Sequence, residues 1–169
     1  MAQVSPVGVV LIFLVALVLL PVIFVVATYN SLVTLRNLVK NSWANIDTEL
    51  RRRYDLIPNL VETVKAYATH ERTVLQSVVE ARARAVASTG SPSSQARDEN
   101  QLVGTLKSLF AVAENYPNLK ANDNFLKLQR ELVNTEDRIQ AARRFYNGNV
   151  KDLNTRCDMF PSNIIASMF

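Results

Sequence analysis

Apolar and polar positions divide the chain near residue 28. From Val7 to Ala27 every residue is apolar except Gly8 and Pro21. Those 21 residues make a helix of roughly 31 Å, the thickness of a bilayer's hydrocarbon core. Beyond them apolar residues return at steps of three and four, the period of an amphipathic helix. Leu32, Leu35, Val39, Ser42, Trp43, Ile46 and Leu50 form the first stripe, with no Gly or Pro between Val22 and Asp55. The membrane helix and the first bundle helix are therefore expected to be one rod. That rod is expected to end near Asp55-Leu56-Ile57-Pro58, because proline interrupts a helix and Asp55 can cap the next one.

The second stripe runs through Ile57, Leu60, Val61, Val64, Tyr67, Ala68, Val74, Leu75, Val78, Ala81 and Ala85, predicting a helix from Pro58 to about Ala87. Residues 88–94, rich in Ser, Gly and Pro, read as a flexible connection. A third helix carries Leu102, Leu106, Leu109, Phe110 and Ala113 and ends before Tyr116-Pro117. Asn122 or Asp123 caps a fourth. Its residues Phe125, Leu128, Leu132, Thr135, Ile139, Ala142, Tyr146, Asn149 and Leu153 make a bundle seam. Phe160-Pro161 ends it, and Ser162 can cap a short apolar tail. No segment alternates as a strand does. The expected fold is all-α, with the N-terminal transmembrane helix continuing into an antiparallel bundle of long helices. The expected division is a tail and membrane helix over residues 1–28 and a bundle over residues 29–169.

Charge sharpens this picture. The 19 basic and 15 acidic side chains all lie between Arg36 and Asp158. A cleaved signal peptide is disfavoured: no Lys or Arg precedes the run, the run is long, and no A-x-A site stands before Tyr29. Arg36 and Lys40 follow the run closely, so the positive-inside rule places the bundle in the cytoplasm, with a periplasmic or other extracytoplasmic location as the alternative. The net charge of +4 is too small for the dense basic stripe of a nucleic-acid binder. Cys157 is the only cysteine, which excludes an intramolecular disulfide.

Catalytic patterns are missing. His70 is the only histidine, so neither a di-iron Glu-x-x-His pair nor a zinc H-E-x-x-H site can form. Cys157 has no nearby His, and no glycine-rich nucleophile turn is present. Arg51, Arg52 and Arg53 are expected in the last turn of the first helix, where cations complement the dipole. Polar residues beside apolar stripes are the remaining candidates: Asn59 and Glu62 after Pro58, then Glu131, Thr135, Glu136 and Arg138 on the fourth helix. A carboxylate held partly out of water needs a cationic partner, so Glu62 and Glu136 are expected to pair with Arg52, Arg53 or Arg138.

Several segments resemble the LemA family. Tyr29-Asn30-Ser31-Leu32-Val33, Asn41-Ser42-Trp43 and Ile46-Asp47 look like its opening. Arg52-Arg53-Tyr54-Asp55-Leu56-Ile57-Pro58-Asn59-Leu60-Val61-Glu62-Thr63-Val64-Lys65 matches its central motif. Tyr116-Pro117, Leu119-Lys120-Ala121-Asn122, Leu128-Gln129, Thr135-Glu136 and Phe160-Pro161-Ser162-Asn163-Ile164-Ile165-Ala166 are similar to its second half. The chain departs from the pattern at Ser42, where Ala is usual, at Leu153, where Tyr is usual, and at Cys157, where Ile is usual. The resemblance implies a single-pass anchor and a cytoplasmic or periplasmic helical bundle. It supplies no catalytic residue.

Two functions follow as expectations. The first is a membrane-anchored scaffold or protein-interaction module without catalytic activity or cofactor. Its partners are the bilayer through residues 7–27 and a protein or a second copy of the chain. The second is an accessory subunit or regulator of a membrane enzyme, such as a protease, with a polar pocket around Glu62 and Glu136. The residues singled out for either role are Arg52, Arg53, Asp55, Pro58, Asn59, Glu62, Glu136 and Arg138.

Overall fold

The computed structural model describes residues 6–89 and 92–168. Six helices and no strand occur among them: α1 Pro6–Lys65, α2 Arg72–Ala87, α3 Pro92–Ala113, α4 Pro117–Lys120, α5 Asp123–Asp158 and α6 Ser162–Met168. The chain is all-α, with a long apolar N-terminal helix that continues into a helical bundle. The expected rod is present. α1 has no break between Ala27 and Asn41, and its apolar end is long and hydrophobic enough to cross a membrane.

Pro58 does not end α1, which continues seven residues past it to Lys65. A mid-helix proline normally orphans the carbonyl four residues earlier. Here that carbonyl belongs to Tyr54, and Arg82 Nε of α2 donates to it at 2.7 Å. The turn expected at 55–58 lies instead between Lys65 and Arg72. Asp55 is therefore an exposed residue inside α1 and caps nothing. The Arg51–Arg53 run is in mid-helix and gains nothing from a helix terminus. The real turn contains neither Gly nor Pro. It is held by burial of Ala68, by Asn122 Nδ2 donating to Tyr67 Oη at 3.0 Å, and by Tyr116 Oη donating to Glu71 Oε1 at 3.0 Å. His70 is exposed in this turn rather than in a helix.

Pro92, Ser93 and Ser94 of the Ser-rich stretch begin α3, while Gly90 and Ser91 lie outside the described residues. The connection is braced by Ser88 Oγ donating to Asp98 Oδ2 at 2.6 Å. Asn122 caps α5: its Oδ1 accepts the Phe125 amide at 3.0 Å, satisfying one of the helix's orphan donors. Ser162 acts differently from the expected cap. Its Oγ donates to the carbonyls of Arg156 at 2.7 Å and Met159 at 2.9 Å, closing the end of α5.

The chain forms two compact units, one of residues up to Ala44 with those from Arg143, the other of Asn45–Ala142. In the second unit, Ile57, Leu60 and Val64 of α1 are sealed from solvent, as are Val78 of α2, Leu102 and Leu109 of α3, Leu119 of α4 and Ile139 of α5. α1 and α5 run antiparallel there: Arg52 meets Glu131, and Glu49 meets Arg138. The first unit has a more polar interior. Thr28, Ser42, Asn149 and Ser162 are buried beside Ile165. Asn149 Nδ2 donates to Ser42 Oγ at 3.2 Å, and the Trp43 and Tyr146 rings stand 5.3 Å apart.

Candidate functional site: a buried arginine between two carboxylates

The α1 core stripe of the second unit reads Ile46, Leu50, Arg53, Ile57, Leu60, Val64, so Arg53 stands where an apolar residue would be expected. Its side chain is 2% exposed. On α3 the stripe Leu102, Leu106, Leu109, Ala113 extends backwards by one step to Glu99, which is 3% exposed. The helices bring these two charges together. Arg53 Nη2 donates to Glu99 Oε2, and Arg53 Nη1 donates to Glu136 Oε2 at 2.6 Å. The second oxygen of Glu99 accepts from Tyr54 Oη. The second oxygen of Glu136 accepts from Gln140 Nε2 at 2.7 Å.

One guanidinium thus joins α1, α3 and α5, and the neighbouring Tyr54 leads to α2 through Arg82. A buried carboxylate is tolerable only when its charge is met and its oxygens are bonded. Glu99 satisfies both conditions. Glu136 keeps a third of its side chain exposed, so water offsets part of the second negative charge. Arg53 and Glu99 are sealed from solvent, and of the three charges only Glu136 reaches it.

Around it lie weaker contacts. Arg52 pairs with Glu131 at 3.5 Å, Arg138 with Glu49 at 3.8 Å, and Arg51 with Asp47 at 2.9 Å, all with at least one largely solvated partner. Such pairs contribute only about 0–1 kcal/mol each.

The residues singled out from sequence therefore separate. Arg53 and Glu136 meet in the core. Arg52 and Arg138 hold surface pairs with Glu131 and Glu49 rather than with Glu62 or Glu136. Asp55 and Pro58 are exposed on α1. Glu62 is exposed and has no ion pair among the described residues, contrary to the expected pairing: it points away from the side of α1 that carries Arg53, and Arg52 is already engaged. With Asn59 and Thr63 it lines one wall of an open groove of about 470 Å³, opposite Asn124, Lys127 and Glu131 of α5. Glu136 does not line this groove. Glu99 is not among the residues singled out from sequence, because the apolar stripe of α3 begins at Leu102. Its place three residues earlier was the available signal.

Among the described residues no group of three or more His, Cys, Asp or Glu is arranged to hold a metal. Tyr116 has its phenol pKa raised, first by the hydrogen bond to Glu71, then by burial and by the Glu71 charge.

The profile of the LemA family matches residues 42–169. Among curated proteins, magnetosome protein MamQ 2 of Paramagnetospirillum magneticum is 26% identical over 82% of this chain and 60% of its own length. Magnetosome protein MamQ of Magnetospirillum gryphiswaldense is 24% identical with the same coverage, 82% and 60%. Protein LemA of Metamycoplasma hominis is 24% identical over 81% of this chain and 63% of its own length. The chain thus spans about 60% of the length of these relatives. None of their names is that of an enzyme.

Proposed function

The chain belongs to the LemA family, and from that premise we propose that it is a single-pass scaffold, a helical bundle of residues 29–169 held at the membrane by the helix within residues 1–28 and presenting its surface to a protein partner. One observation carries this reading. The most concentrated charge chemistry among the described residues, Arg53 with Glu99 and Glu136, is locked into bonds between helices, with Arg53 and Glu99 sealed from solvent. A site built to act on a substrate needs its polar groups turned toward a cavity. A cluster that ties three helices together instead fixes their register. The apolar run of α1, long enough to cross a bilayer, supports the anchor. Arg36 and Lys40 favour the cytoplasmic side.

The alternative, an accessory subunit of a membrane enzyme, draws on the groove of Asn59, Glu62 and Thr63 against Asn124 and Lys127, whose polar groups are open to a partner. Photo-crosslinking in intact bacterial membranes tests both. Crosslinkers are placed at Asn59 in the groove and at exposed Val79 on α2. Discrete adducts that survive Glu62→Ala support the scaffold. Adducts formed only from Asn59 and lost in Glu62→Ala support the groove reading. No adduct from either position counts against a protein-binding role. Protease added to spheroplasts tests orientation: a cytoplasmic bundle is spared until the cells are lysed, and digestion before lysis reverses the assignment.

A further inference from the structure

The membrane helix leaves the bilayer beside an apolar corner that the proposed function does not use. Residues 9–27 of α1 are open along their length, and Thr28, the first residue beyond them, is 2% exposed, so packing starts where the apolar run stops. A cleft of about 340 Å³ then separates Tyr29, Leu32 and Arg36 of α1 from Leu153 and Cys157 of α5 and Ala166 of α6. At about 1.5 Å per residue, Tyr29 and Arg36 stand roughly 3 and 14 Å past Ala27. The polar headgroup layer adds about 5–7 Å on each side of the hydrocarbon. The end of α5, at Leu153 and Cys157, and Ala166 of α6 therefore face the stretch of α1 that crosses or borders the headgroups.

This corner is unlike an ordinary soluble surface. Met159, Phe160, Ile164 and Met168 are 52%, 79%, 53% and 71% exposed. The ten residues from Met159 to Met168 contain no charged side chain. Contiguous exposed apolar residues on this scale mark a binding surface. Charge is distributed to match. The unit that contains the corner has six basic and two acidic residues, whereas Asn45–Ala142 has thirteen of each, so the whole +4 of the chain falls in this unit, with Arg36 lining the cleft and Arg156 bonded through its carbonyl to Ser162 of α6. Basic residues flanking an apolar surface are the complement of an anionic lipid headgroup layer.

We propose that the α5–α6 corner is a second membrane contact. Phe160, Ile164 and Met168 enter the interfacial layer of the same leaflet that α1 leaves at Tyr29, so the protein is held by one spanning helix and one shallow apolar foot. The proposal rests on α1 spanning the bilayer, and its test separates the two.

The full chain, with Trp43→Phe to remove the native indole, is reconstituted into vesicles of phosphatidylcholine and phosphatidylglycerol whose acyl chains are brominated near the headgroup. Single tryptophans are introduced as Phe24→Trp, Phe160→Trp, Ile164→Trp and Phe145→Trp. Phe145 is a fair control because it is 56% exposed and apolar. Its neighbour Tyr146 meets Trp43, which is roughly 24 Å past Ala27 along α1. The expected result is blue-shifted emission and loss of most fluorescence for Phe24→Trp and for Phe160→Trp or Ile164→Trp, with Phe145→Trp unaffected. Quenching at Phe24→Trp alone overturns the foot and leaves the anchor standing. Blue-shifted but unquenched emission at both corner positions means that protein covers them, and also overturns it. Quenching at Phe145→Trp as well removes the distinction between corner and bundle and sinks the proposal. No quenching at Phe24→Trp sinks anchor and foot together.

Discussion

Arg53 lies between Leu50 and Ile57 on a core stripe, and its charge is sustained there by bonds from two other helices. Removing one partner from a buried pair costs about 3–5 kcal/mol, because the other charge is left unmet. Glu99→Ala should therefore destabilise the full chain in detergent micelles by about 3–5 kcal/mol in denaturant unfolding. Glu136→Ala should cost less, because a third of its side chain already faces water. Glu62→Ala should fall within about 0.5 kcal/mol of wild type, as should the exposed control Glu80→Ala. If Glu62→Ala proves as damaging as Glu99→Ala, the assignment of the core charges is wrong. The sequence contained the signal for Arg53 and Glu99, since both occupy apolar stripe positions. It did not contain their pairing, which joins residues 46 positions apart. Glu136 and Glu62 read alike in sequence, each beside a stripe. Only the packed helices turn one toward a guanidinium and the other toward water.

Among the elements, α1 depends on a donor outside itself. Arg82→Ala should leave the Tyr54 carbonyl without the bond that Pro58 cannot supply, at a cost of about 1–3 kcal/mol. Pro58→Ala alone should change stability little, because that carbonyl is already occupied by Arg82. In the double variant Pro58→Ala with Arg82→Ala, the restored amide of residue 58 can bond to Tyr54. The two changes should then be non-additive, and part of the Arg82→Ala loss should return. Strict additivity in unfolding measurements would refute this account of how the helix passes a proline.

The α1–α2 turn carries a pH signature through Tyr116. Its pKa is raised in the folded state by the bond to Glu71. The stability it contributes is fully present below the ordinary tyrosine value of about 10 and is lost as pH rises through the higher folded value. Tyr116→Phe should remove one alkaline-shifted component of the tyrosine titration. It should also make the variant's stability fall less with pH above about 10 than wild type does.

For the whole molecule, the proposed anchor is tested by where the chain partitions. The full chain should remain with the membrane after an alkaline carbonate wash. Deletion of residues 6–27 should move a large share of the protein to the soluble fraction. Retention of the deleted form on anionic vesicles, lost in high salt, is the expected residue of the α5–α6 foot, since headgroup attraction is screened while a spanning helix is not. Retention of all of it, even in high salt, would show that α1 is not the principal anchor.

Hydrophobic patterning by itself determined the long apolar N-terminal helix, the all-α class and the rod that crosses Ala27, because each rests on interactions within a few residues of one another; it left the cap of α5 between Asn122 and Asp123, and the structure selects Asn122. The end of α1 was decided only by the tertiary structure. Pro58 is a local signal to stop, overruled by Arg82 from another helix. The real turn at 66–71 has no local signal and is held by Ala68 burial and by bonds from Asn122 and Tyr116. The polar core follows the same logic. A charged residue on a stripe announces that a partner must exist, but which carboxylate meets Arg53 depends on how three helices pack, and that is a property of their arrangement rather than of any one of them.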